Sequence, residues 1–162
     1  MKIHQKEKGF TIIEVVLVLA IAGLIFLMVF IALPALQRSQ RDTQRKNDLS
    51  RATTAISNYT SANRGQLPIN WTTFTTQYLT VSGDSFLDPS GANSTNPTVT
   101  NYTFTQNQNP MIGTFSSSLN QNIIYFALNS TCGTSGTVQS AGSRSVALRM
   151  YLEGGGVACE NN

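Results

Sequence analysis

Histidine is nearly absent from this chain: the single one, His4, lies in a short basic N-terminal stretch. Without a histidine elsewhere, a Ser-His-Asp triad has no base. A histidine-rich zinc site is excluded by the same lack, and the two cysteines, Cys132 and Cys159, are too far apart for C-x-x-C spacing. A phosphate-binding loop is missing as well, because Gly154, Gly155 and Gly156 lack the lysine and following helix that a nucleotide site needs. Charge is sparse too, at 12% of residues, with a formal net charge of +3. Much of that excess comes from Lys2, Lys6 and Lys8 at the N-terminus, so no clustered basic face indicates nucleic acid.

Acids that could act in pairs are Asp84, Asp88, Glu153 and Glu160, all in segments that read as loop or tail. Turn formation is their simplest role, and no catalytic residue is assigned. Asp84 and Asp88 are oxygen donors in one loop, but two acids are too few for a calcium site. No metal and no cofactor is therefore assigned. Five Asn-x-Ser/Thr tripeptides, at Asn58, Asn70, Asn93, Asn101 and Asn129, arise readily in a chain so rich in these residues and are given no function.

What the sequence does have is one long apolar run. No charged residue occurs from Val15 to Leu36, and about twenty residues of helix cross a bilayer's hydrocarbon core. Glu14 stands at its edge, where an ionisable group costs free energy unless it snorkels or finds a partner. A secretory signal would have an apolar region of about 7 to 15 residues and a small-residue cleavage site. This run is longer, and the best later site, after Ala35, has Leu33 where a small residue is needed. A plain single-pass anchor stays open. Lys2, Lys6 and Lys8 on one flank face Arg38, Arg41, Arg45, Lys46 and Arg51 on the other, so the positive-inside rule alone favours the end opposite to an exported body.

Lys8-Gly9-Phe10-Thr11-Ile12-Ile13-Glu14, followed by the apolar run, resembles the processing site of the type IV pilins and pseudopilins. The resemblance covers roughly Lys8 to Pro68 in detail; beyond that only the plan is similar. It implies a leader at 1–9 and cleavage between Gly9 and Phe10 by a prepilin peptidase. It further implies methylation of the new Phe10 amine and assembly into a helical homopolymer, in which Glu14 pairs with the Phe10 amine of an adjoining subunit. The other partners it implies are an inner-membrane assembly platform and, before assembly, the membrane itself. The precursor would be a single-pass protein of the cytoplasmic membrane, and the product an extracellular pilus filament. Such a chain is not an enzyme but the substrate of one. The alternatives are a minor pilin, a secretion-system pseudopilin, or an anchored binding domain that never polymerises.

The expected fold is α+β: a long N-terminal helix, apolar in its first half and amphipathic in its second, packed on a small antiparallel sheet. One helix is expected over Phe10 to Asn63, divided into a membrane or filament-core part, 10–36, and an amphipathic part, 37–63. A globular head, 64–162, follows. Gly23 and Pro34 are the expected kink positions, since proline removes a backbone hydrogen bond; many pilins have a glycine at the place of Gly23, and their proline comes slightly earlier than Pro34. Leu49, Ala52, Ala55, Ile56 and Tyr59 recur at spacings of three and four, giving one buried stripe. The charges among them, Arg38 to Arg51, read as a solvated face, or with Asp42 and Asp48 paired to arginines of neighbouring subunits. Gly65 and Pro68 stop the helix, and Trp71 to Leu79 reads as a short helix or turn packed on it.

Strands are expected at Thr98 to Gln106, with Tyr102 and Phe104 on one face, at Ile123 to Leu128 and at Ser145 to Leu152. Ser82 to Pro97, Asn107 to Asn122 and Asn129 to Ser143 read as connections, and Gly154 to Gly156 as a flexible turn. An even cysteine pair in a small exported domain reads as a disulfide, and closing the loop from Cys132 to Cys159 would contribute about 3 to 4 kcal/mol in the chain-entropy model. The alternative is a pair of buried free thiols.

Overall fold

The computed structural model describes residues 9–81, 86–90, 101–109 and 122–162. The chain divides into two compact units, Met1–Gln37 and Arg38–Asn162. Helix α1 (Ile12–Ala62) begins in the first and ends in the second. In the first unit its side chains are apolar on every side, and none of the eighteen-residue window of mean hydropathy 3.2 is buried. A helix apolar all round is one suited to lipid or to a protein interior.

In the second unit α1 buries Leu49, Ala52, Ala55 and Ile56, as their spacing predicts. The helix ends where Arg64 (φ 55°) and Gly65 (φ 80°) turn left-handed, and Gly65 N–H donates to Thr60 O at 2.7 Å. That six-residue loop is the Schellman closure, which satisfies a carbonyl the helix would otherwise leave open. A Cβ at 65 would also lie 2.7 Å from the exposed Arg144 side chain, which would have to shift. Helix α2 (Trp71–Phe74) follows, capped by Asn70 Oδ1 accepting from Thr73 N–H at 3.1 Å. It continues as a π-helical turn, Thr75–Leu79.

Six strands lie in the described residues: β1 (Thr103–Gln106), β2 (Ile123–Leu128), β3 (Ser130–Cys132), β4 (Val138–Ser140), β5 (Val146–Tyr151) and β6 (Val157–Asn161). The main sheet has the order β1-β2-β5-β6. Pairs β2–β5 and β5–β6 are antiparallel, with Phe126 opposite Leu148 and Arg149 opposite Cys159. The pair β1–β2 is parallel, with Phe104 opposite Ile124. This corrects the expectation of a wholly antiparallel sheet. A parallel neighbour needs a crossover of a dozen or more residues, and the connection from Gln106 to Ile123 has that length.

One further expectation is corrected. Asn129 to Ser143 is not a plain connection, because β3 and β4 form a separate hairpin with Cys132 opposite Val138. The glycines 154–156 are the turn of the β5–β6 hairpin, and Gly155 and Gly156 take φ of 96° and 87°. Strand β1 starts at Thr103, while Asn101 makes a single bridge to Leu87. The expected start, Thr98, lies outside the described residues.

The core of the second unit joins Leu49, Ala52 and Ile56 of α1 to Ile124, Leu148 and Met150 of the sheet. Aromatic rings fill the space beside them: Tyr59 meets Phe74 edge-on at 5.8 Å, and Trp71 stacks on Phe126 at 4.0 Å. On β5 the buried residues include Ala147 and Arg149 as well as the alternate positions expected to face inward. Arg149 donates to the carbonyls of Asn107, Asn109 (2.9 Å) and Gly136 (2.7 Å), tying two connections to the sheet. Cys132 and Cys159 are bonded, with Cα atoms 5.9 Å apart, which links β3 to β6.

The charges of α1 form a wet face only in part: Arg38, Lys46 and Arg51 are exposed, while Asp42, Arg45 and Asp48 are buried. Arg45 is fully buried and is held by three carboxylates: Asp88 at 2.8 and 3.0 Å, Glu153 at 2.8 Å and Asp42 at 3.0 Å. Arg41 adds a second arginine on Glu153 at 2.6 Å. Asp42 also accepts the N–H groups of Glu153 and Gly154 at 2.8 and 2.7 Å. Gly154 allows this approach, since a Cβ there would sit 3.0 Å from Asp42 Oδ2. Asp48 accepts from Tyr102 Oη at 3.2 Å and Arg51 at 3.4 Å. The reading as solvent-facing is thus overturned for Asp42, Arg45 and Asp48, and Asp42 and Asp48 have partners in their own chain. Burial alone would lower the Arg45 pKa, but the hydrogen bonds and charge of Asp88 and Glu153 outweigh it and raise it. Burial likewise pushes Asp88 and Glu153 up, and their arginines hold both below the usual carboxylate range. For Asp48 burial wins and the pKa is raised, against the bonds from Tyr102 and Arg51.

Candidate processing and assembly site

Gly9 and Phe10 precede the helix and are exposed, Phe10 to 90%. A Cβ placed on Gly9 would meet nothing within 4 Å, so no packing among the described residues requires glycine there. The helix starts immediately after, with Thr11 as its cap: Val15 N–H donates to Thr11 O at 3.4 Å.

Glu14 closes that cap from the other side. Its Oε2 accepts from Thr11 N–H and from Thr11 Oγ1, each at 2.8 Å, and Glu14 N–H approaches Thr11 Oγ1 at 3.4 Å. This is a capping box, in which residues three apart satisfy each other's backbone donors. The T-x-x-E spacing ahead of an apolar run signals it in the sequence, although the motif alone draws attention only to the glutamate's charge. Phe10, Glu14, Val15, Val18 and Leu19 line a shallow, almost wholly apolar depression of about 300 Å3. The carboxylate that closes the cap therefore also borders an apolar surface, where a cation from elsewhere could reach it.

Beyond this cap the large side chains of the first unit stay exposed, among them Leu24, Phe26 and Phe30. Gly23 and Pro34 both fall inside α1, and a Cβ on Gly23 would meet nothing within 4 Å. By length and composition this helix can cross a membrane. The basic residues Lys2, Lys6 and Lys8, with His4, lie outside the described residues, as does Asp84 of the loop pair. Asp88, its companion, is engaged by Arg45 and by the N–H and hydroxyl of Ser90. Among the described residues no group of three or more His, Cys, Asp or Glu is placed to hold a metal ion. Glu160 is exposed on β6.

The residues brought together at the N-terminus are thus an exposed Gly9–Phe10 bond, a capped helix start and a lipid-length apolar surface. No curated protein and no solved structure matches the chain. The motif and the apolar helix together fit a membrane-anchored precursor. Residues 4–30 match the family model of the prokaryotic N-terminal methylation motif, and the chain thereby carries the prepilin-type cleavage motif of the type IV pilins and pseudopilins.

Proposed function

We propose that the chain is a structural subunit of a type IV pilus-like surface filament, made as a prepilin, cleaved after Gly9 and polymerised through its N-terminal helix. The observation that carries this reading is the continuity of the methylation motif with the apolar first half of α1, whose most apolar eighteen residues include none that is buried. Left in water, such a surface would aggregate; it is stable in a bilayer or packed against copies of itself. The first nine residues are the leader, 10–36 the membrane and filament-core segment, 37–63 the amphipathic half and 64–162 the head. Gly23 and Pro34 are the positions where the helix bends or loosens as subunits pack.

Cleavage creates an amine on Phe10 that is largely cationic at neutral pH. Glu14 pairs with that amine on an adjoining subunit, exchanging its bonds to Thr11 for a charge pair. In a low-dielectric core an unpaired carboxylate is strongly disfavoured, so the register that joins the two charges is selected over slipped ones. A prepilin peptidase and an assembly platform of the cytoplasmic membrane are the partners this sequence of events requires. The body needs no catalytic site for this role. Intact-mass measurement of protein sheared from the cell surface tests the reading. The expected mass lacks Met1 to Gly9 and carries one methyl group; a surface protein that retains the first nine residues refutes it.

A further inference from the structure

The second unit contains a groove of about 470 Å3 between the edge strand β1 and the α2 region with its π-helical turn. Neither cleavage nor polymerisation through α1 uses it. One part of its lining is aromatic: Trp71, Phe86, Tyr102 and Phe104. These rings are braced by their neighbours, Trp71 stacking on Phe104 at 5.1 Å and on Phe126 at 4.0 Å. Trp71 and Phe104 nevertheless stay only half-buried.

The other part is polar and uncharged. It consists of the hydroxyls of Thr72, Thr75, Thr76, Thr80 and Thr103 and the side-chain amide of Asn101. Three of these hydroxyls already use their single proton on the backbone: Thr75 Oγ1 donates to Trp71 O at 2.8 Å, Thr76 Oγ1 to Thr73 O at 2.9 Å and Thr80 Oγ1 to Thr75 O at 3.3 Å. A hydroxyl has one proton and two lone pairs, so these three present only acceptors to the groove. Tyr102 Oη is committed to Asp48. Asn101 supplies a carbonyl acceptor and an amide donor.

This lining selects its ligand by elimination. An anion would need several donors or a cationic side chain, and a cation would need a carboxylate; among the described residues the lining carries neither charge. A wholly apolar ligand would strip water from the threonine oxygens without replacing its hydrogen bonds, which is costly. What fits is an uncharged molecule that donates several hydrogen bonds and has an apolar face for the rings. Pockets of this size that set polar groups beside aromatic side chains are ordinary ligand sites. We propose that the groove binds a neutral sugar, its C–H face against Trp71 and Phe104 and its hydroxyls donating to the threonines and to Asn101.

Trp71 is the chain's one tryptophan, so its fluorescence reports on this site alone. The experiment titrates the full chain in a zwitterionic detergent, since a sugar-headed detergent would compete. The probes are glucose, galactose, N-acetylglucosamine and the trisaccharides maltotriose and chitotriose, with glucuronate as the charged control. A saturable change with a neutral sugar, weaker or absent with glucuronate, is expected. Equal affinity for monosaccharide and trisaccharide identifies a free sugar as the source; tighter binding of a trisaccharide identifies a glycan chain. Asn101 and Thr76 are exposed, so Asn101→Ala and Thr76→Val keep the fold, and each should weaken binding about tenfold, the loss of one hydrogen bond. The proposal is overturned if no neutral sugar gives a saturable response while the near-UV spectrum stays native, or if both variants bind unchanged. It is also overturned if Trp71 responds only to protein concentration, which would make the groove a contact between copies.

Discussion

Replacing Arg45 by methionine keeps a flexible stem in the space but removes the charge on which three carboxylates converge. Their remaining partners decide the magnitude. Asp42 keeps the N–H groups of Glu153 and Gly154, and Glu153 keeps Arg41 at 2.6 Å. Asp88, with 2% of its side chain exposed, keeps only Ser90. The loss therefore concentrates on Asp88. Breaking a buried pair by removing one partner costs about 3–5 kcal/mol, and the retained bonds place Arg45→Met near the lower end, about 3 kcal/mol. Against a total of about 5–15 kcal/mol for a typical domain, that is a large share. Urea unfolding of the full chain in detergent, followed by Trp71 fluorescence, measures it. Asp88→Asn in the same background should recover part of the loss, with a coupling of about 0.5–3 kcal/mol. The pH dependence gives a second check of opposite sign in the two proteins. In the wild type, Asp88 and Glu153 are held below their ordinary values, so their stabilisation is present above about pH 4 and lost as pH falls through the folded-state values. In Arg45→Met burial acts on Asp88 without its main opponent, so that variant gains stability on acidification from neutral towards pH about 4. The gap between the two proteins should therefore narrow as pH falls. A gap that stays constant over this range, or a loss below about 1 kcal/mol at neutral pH, refutes the account.

Gly9→Val leaves the packing of the described residues untouched, because a Cβ on Gly9 would meet none of them; the leader should stay attached and filaments disappear, and a normal mature mass would contradict the processing reading. Glu14→Gln preserves a capping box while removing the charge, and Glu14→Ala removes both. If pairing with an amine is what assembly needs, both variants are cleaved yet assemble poorly; wild-type filament number in Glu14→Gln would transfer the role to the cap. Asp48 has a raised folded-state pKa, so its charge opposes folding above that value and protonation relieves it. Asp48→Asn should then gain stability at neutral pH in urea unfolding, with the gain vanishing as pH falls below the ordinary carboxylate range; a loss at neutral pH would show that the Arg51 contact outweighs burial. Reducing the Cys132–Cys159 bond should speed hydrogen exchange first at Val157–Asn161; two titratable thiols in unreduced protein would exclude the bond.

Legibility followed the range over which each feature is specified. The apolar run, the motif and the stripe Leu49–Ala52–Ala55–Ile56 are written in consecutive residues or in one helical period, and the sequence alone is enough to place them. The same holds for the end of α1, where Gly65 must take a positive φ. Strands β2 and β5 also stood out, since Ile123–Leu128 and Val146–Tyr151 are apolar enough to be recognised alone. Less was visible where pairing defines the strand. Strands β3 and β4 are three residues each and polar. Only their register to one another, and the disulfide to β6, makes them strands. The direction of β1 depends on where the chain re-enters the sheet, about which Thr103–Gln106 itself carries no information.

The buried charges are the sharper case. Arg38, Arg41, Asp42, Arg45, Lys46, Asp48 and Arg51 have the composition of a solvated face, and helical periodicity counts apolar residues only. Yet Asp42, Arg45, Asp48 and Leu49 follow the same three-and-four spacing as the apolar stripe and continue it towards the start of the second unit. Arg45 reaches Asp88 and Glu153, 43 and 108 residues further along the chain. No local rule connects them. What the sequence did offer was scarcity: with so few charged residues after Arg64, each acid in the body is a plausible partner for a helix arginine. The same scarcity bears on the groove. A body that commits Asp88 and Glu153 to Arg45 and Arg41 lines the described part of this groove with threonine and asparagine, and a surface of that kind favours ligands that are themselves uncharged and rich in hydrogen-bond donors.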